Sequence, residues 1–65
     1  MTDSQHEGFI VEYITLGGSM KVTVFDPETL TEASIIAPPN TSRDEAAKLA
    51  VRKLRYLLTK DEKDS

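Results

Sequence analysis

Apolar positions first alternate with polar ones in three short runs and then change period. Phe9 to Leu16 is rich in β-branched and aromatic residues, which predicts a strand. Gly17-Gly18 follows, and two glycines between apolar runs suit a two-residue hairpin loop that needs positive φ. In Ser19 to Asp26, Met20, Val22 and Val24 alternate with Lys21, Thr23 and Phe25, a second strand. Asp26-Pro27-Glu28-Thr29 reads as a type I turn, because Asp can bond the turn backbone and Pro presets φ. Glu32 to Ala37 is the third strand, and Pro38-Pro39-Asn40 ends it, since proline has no N–H for a ladder. The period then becomes helical: Ala47, Ala50, Val51, Leu54, Leu57 and Leu58 form one stripe. Ser42 and Glu45 make an S-x-x-E capping box worth about 1 kcal/mol, with Thr41 as the other candidate cap. The expected fold is α+β, a three-stranded antiparallel meander with one C-terminal helix packed on one face.

Register sorts the side chains. Pairing Leu16 with Ser19 sets Tyr13 opposite Val22, Val11 opposite Val24 and Ile10 opposite Phe25. A loop over Pro27 to Leu30 sets Val22 against Ile35 and Val24 against Ala33. Phe9, Val11, Tyr13, Met20, Val22 and Val24 then share the face the helix covers. Small Ala33, Ala37, Ala47 and Ala50 allow a close helix–sheet approach. The other face carries Ile10, Glu12, Ile14, Lys21, Thr23, Phe25, Glu32, Ser34 and Ile36. A one-residue slip would exchange the two lists.

Sixty-five residues make one domain, expected over 8–60, with disordered tails at 1–7 and 61–65. A core this small stabilises the fold by roughly 3–5 kcal/mol. The chain has no cysteine, hence neither a disulfide framework nor a thiolate zinc site, and this fits a reducing compartment. No apolar run approaches the ~20 residues that cross a bilayer, and the polar N-terminus is unlike a signal peptide. A cytoplasmic address without membrane contact is expected. The net charge of −3 is unevenly spread. Between Arg43 and Lys60 six cations face two carboxylates, a balance of +4; elsewhere Lys21 and Lys63 face nine carboxylates, a balance of −7.

Candidate chemistry is sparse. Nucleophilic catalysis needs a nucleophile beside an oriented base, and the one imidazole, His6, falls in an expected tail. His6 and Glu7 have no companions with metal-ligand spacing. Gly17-Gly18 lacks phosphate-loop spacing and leads into a strand rather than a helix. Glu28 and Glu32 flank a turn and are expected in solvent. These features predict no enzyme, no metal, no cofactor and no small-molecule ligand.

Two surfaces remain. Ile10, Ile14, Phe25 and Ile36 are four apolar side chains on an uncovered face, the pattern of a protein-binding patch or a self-association surface. Scattered cross-strand support among polar neighbours is the plainer account of them. A three-stranded sheet also leaves two edges open to strand addition. The second surface is the basic helix, with Lys48, Arg52, Lys53 and Arg55 as candidate nucleic-acid contacts. Its plainer account is an ordinary solvated face.

The β-β-β-α order with Ala47-Lys48, Ala50, Lys53 and Leu54 resembles the C-terminal part of the double-stranded-RNA-binding domain, whose last helix opens with a lysine-rich run that meets phosphates. That resemblance implies RNA binding. Asp44 and Glu45 stand where that family has its two leading lysines, and its first helix has no counterpart here. The same two carboxylates suit the positive end of the helix dipole.

A second likeness spans Met20 to Pro38. The run Lys21-Val22-Thr23, Asp26-Pro27, Thr29, Thr31-Glu32, Ser34-Ile35 and Pro38 resembles the V-K-V-(S/T)-x-x-D-P-x-T-G-T-E-x-S-I-x-x-P signature of a family of small uncharacterised alphaproteobacterial proteins. It extends to Glu12-Tyr13 and Gly17 upstream, and to Ala50, Lys53-Leu54 and Leu57 downstream. Leu30 stands where that family's turn has Gly, and if the position needs positive φ it is strained by about 1 kcal/mol. The resemblance implies a bacterial, cytoplasmic protein and no catalytic residues. The leading functional expectation is a non-catalytic protein-interaction module; the alternative is RNA binding by the helix.

Overall fold

The computed structural model describes the backbone of residues 2–6 and 8–64 and the side chains of residues 8–60. The elements run β1 (Thr2–His6), β2 (Phe9–Leu16), β3 (Ser19–Asp26), β4 (Thr31–Ala37) and α1 (Arg43–Asp64). The strands form one antiparallel sheet in the order β1-β2-β3-β4. From β2 onward this is the expected β-β-β-α fold. The register is also the expected one: Leu16 pairs with Ser19, Tyr13 with Val22, Val11 with Val24, Val22 with Ile35 and Val24 with Ala33.

Two boundaries differ from the sequence reading. Thr2–His6, expected as part of a tail, pairs with β2, His6 opposite Phe9 and Gln5 opposite Ile10, with an irregularity between Thr2 and Ser4. Patterning passes over such a segment because it has no apolar alternation, whereas the ladder is made by the backbone of any residue. The helix also continues past Lys60 to Asp64. Met1, Glu7 and Ser65 lie outside the described residues.

Local chemistry explains the turns. Of the two hairpin glycines only Gly17 takes positive φ, at 56°, the pattern of a type II′ loop with Gly at its first position. At the β3–β4 turn Asp26 is buried, and its carboxylate organises the loop. Oδ1 accepts from the Glu28 N–H at 3.0 Å and Oδ2 from the Thr29 hydroxyl at 2.9 Å. The Leu30 N–H closes the loop on the Asp26 carbonyl at 2.8 Å. Leu30 itself sits at φ 62°. It therefore occupies the left-handed region that disfavours a Cβ.

The helix starts as its sequence dictates. The Ser42 hydroxyl accepts from the Glu45 N–H at 3.1 Å, and Asp44 and Glu45 fill the first turn. Its stripe packs over β3 and β4, less over β2. The core is Val11, Met20, Val22, Val24, Ala33, Ala37, Ala46, Ala47, Ala50, Val51 and Leu54. Phe9, Tyr13, Ile35, Leu57 and Leu58 close its margin. The alanines meet across the interface, which lets Leu54 sit fully buried above the valines.

Candidate interaction site

The uncovered face is an orderly grid, because register places its residues in cross-strand rows. Ile10, Phe25 and Glu32 form one row; Glu12, Thr23 and Ser34 the next; Ile14, Lys21 and Ile36 the third. The middle row is polar, and the Thr23 and Ser34 hydroxyls lie 3.0 Å apart in a hydrogen bond. All four apolar candidates do share this face, but they fall into two groups. Ile10 adjoins Phe25 at one end; Ile14 and Ile36 flank Lys21 at the other. Ile10, Ile14 and Phe25 are half-buried by their neighbours, while Ile36 is 63% exposed.

The basic helix residues do not converge as a set. The Lys48 ammonium pairs with Asp44 one turn earlier, at 3.3 Å on an exposed surface, a contact that contributes at most about 0.5 kcal/mol. At 100° per residue Lys48, Arg52 and Arg55 share the outward side. Lys53 turns instead to the sheet margin, where its Nζ donates to the Ser34 carbonyl at 2.8 Å. Arg43, at the helix start, lies over the Tyr13 ring, 4.9 Å from its centroid, and its carbonyl accepts from the Tyr13 hydroxyl at 3.3 Å. Charge here ties the helix to the sheet as much as it faces outward.

Shallow clefts also mark the surface of the described residues, two of them along the helix. One, of about 270 Å³, runs along the first half of the helix between Ser42, Asp44, Glu45, Lys48, Leu49 and Arg52. It carries both signs of charge. The other, of about 390 Å³, lies at the far end of the helix between Gly8, Phe9, Asp26, Pro27, Glu28 and Leu58. Both Asp26 oxygens already accept hydrogen bonds from the turn, so this carboxylate serves the loop. Two exposed helix residues were not singled out by patterning: Leu49 is 43% and Tyr56 64% exposed. Their spacing of seven residues, off the core stripe, is the signal that marks them.

Among the described residues no helix is long and apolar enough to cross a membrane. A family model described as Domain of unknown function (DUF6898) matches residues 6–61. No curated protein matches the chain, and no solved structure does.

Proposed function

The chain belongs to the family Domain of unknown function (DUF6898), and we propose that it is a small non-catalytic protein-interaction module binding through its uncovered sheet face. The observation that carries this reading is the division of labour across the sheet. The helix is consumed by one face, and the other presents Ile10, Ile14, Phe25 and a largely exposed Ile36 around a hydrogen-bonded Thr23–Ser34 pair. The apolar side chains and the polar row between them offer a protein partner both contact types. RNA binding by the helix is less well supported, because phosphate recognition needs a broad cationic surface and Lys53 is turned to the sheet. A cysteine-free chain and the resemblance to small bacterial proteins favour a bacterial cytoplasm as the setting.

The test is capture of partners from the native cytoplasm with wild type, Phe25→Glu and Arg52→Glu. The expected result is a protein retained by wild type and Arg52→Glu and lost from Phe25→Glu. Retention of RNA that disappears in Arg52→Glu and at raised salt would move the function to the helix.

A further inference from the structure

β4 is an outer strand of the sheet, and its free edge has a definite chemistry. The two-residue loop makes Leu16 and Ser19 a hydrogen-bonded pair, so Lys21, Thr23 and Phe25 also bond toward β2. Met20, Val22 and Val24 then bond toward β4, and Glu32, Ser34 and Ile36 turn their N–H and C=O groups away from the sheet. The Thr23–Ser34 hydroxyl contact at 3.0 Å agrees, since side chains approach most closely in non-hydrogen-bonded pairs. The Lys53 side chain reaches into this open edge. The Lys53 ammonium donates to the Ser34 carbonyl at 2.8 Å, where the N–H of a neighbouring strand would stand.

We propose that the β4 edge pairs antiparallel with the β4 edge of a second copy, about a two-fold axis at Ser34, and that Lys53 is the plug that keeps this pairing reversible. The reading stands apart from the open-face proposal, because it uses the sheet edge and the helix flank above it.

The occupant follows from self-complementarity. Glu45, Leu49, Lys53, Tyr56 and Lys60 fall within a band of about 80° around the helix, and Lys53 fixes that band on the β4 side. A two-fold axis at Ser34 passes near Lys53 and sets the two helices side by side and antiparallel. Residues equally far before and after Lys53 then face each other. Leu49 lies four residues before it and Tyr56 three after, so the two exposed apolar side chains meet across the axis. Glu45 lies eight before and Lys60 seven after, so opposite charges meet further out. On the edge itself Ser34 pairs with its own mate, and Glu32 with Ile36 of the second copy. An isologous contact needs this kind of match of a patch with itself. Opposing it, each Lys53 must leave its carbonyl, and the two ammonium groups approach one another. An inward-reaching lysine on an edge is a known way to discourage strand pairing.

The experiment is sedimentation velocity from micromolar to millimolar concentration, with amide exchange read at Ser34 in parallel. Lys53→Met should tighten dimerisation about tenfold, Tyr56→Glu should weaken it at least about tenfold, and Phe25→Glu should leave it unchanged. Protection of the Ser34 amide should rise with concentration. Lys60→Glu should weaken the dimer, and adding Glu45→Lys should restore it. The proposal is overturned if wild type and Lys53→Met are both monomeric throughout, or if Ser34 protection is flat with concentration. A dimer lost in Phe25→Glu and kept in Tyr56→Glu would overturn it too, and would assign self-association to the open face.

Discussion

The two faces of this sheet are built from the same strands, yet they obey different rules. On the helix side, Val11, Val22 and Val24 are fully buried and meet alanines and Leu54. Volume decides what is tolerated there, because a close-packed interior cannot absorb a lost methylene. On the open side, Phe25 and Ile36 are adjacent in sequence to buried Val24 and buried Ala37, yet Phe25 is half-buried and Ile36 largely exposed. Cross-strand pairing decides there, and the Thr23–Ser34 bond sits where the covered face has hydrocarbon. The difference teaches that β-strand composition alone does not locate a core: Ile36 is as apolar as any core residue and is 63% exposed.

Substitutions can break this contrast. Leu54→Ala on the covered side should cost about 3 kcal/mol in denaturant unfolding, the transfer loss plus a cavity. In a domain held by only a few kcal/mol, that leaves a large unfolded fraction at 37 °C by circular dichroism. Next in size, Asp26→Ala should cost about 2 kcal/mol, because it leaves the Glu28 N–H and the Thr29 hydroxyl without their acceptor. Thermal unfolding would show it, and Asp26→Asn should recover part of the loss.

Two smaller effects sharpen the comparison. Leu30→Gly should stabilise the fold by about 0.5 kcal/mol, since relief of left-handed strain exceeds the added entropy of glycine in the unfolded chain. A destabilised variant would mean that the 73% exposed Leu30 makes a contact worth more than its strain. Ile36→Thr, the mildest, should change unfolding free energy by no more than about 0.5 kcal/mol, against a clear loss for Val22→Thr on the covered side. Equal losses at both positions would erase the distinction between the faces.

Much of the fold was legible because its signals are local and agree. Gly17-Gly18 sets the register of the first hairpin, Asp26-Pro27 the second, and Ser42 with Glu45 the helix start. Once register is set, side-chain parity follows for every residue, which is why Val22 and Val24 were placed inside and Phe25 outside. β1 was not legible, because Thr2–His6 pairs through its backbone and carries no apolar pattern. Ala46 joins the core one position ahead of the apolar stripe, since a helix lying flat on a sheet buries a band wider than one row.

The candidate sites divide the same way. Ile10, Ile14, Phe25 and Ile36 could be assigned to one face from alternation alone. That a polar row separates them into two groups needed the register of three strands together.

From its residues alone, this chain determines strands β2 to β4, the turns between them, the start of its helix and the side-chain parity of those strands, because each depends on neighbours a few positions away. Tertiary structure decided what the charges do. Lys53 looks like its basic neighbours in sequence, and only the lie of the helix across β3 and β4 brings its ammonium to the Ser34 carbonyl nineteen residues earlier. A long flexible cation takes its partner from whatever the packing sets within reach, and no local pattern encodes that distance.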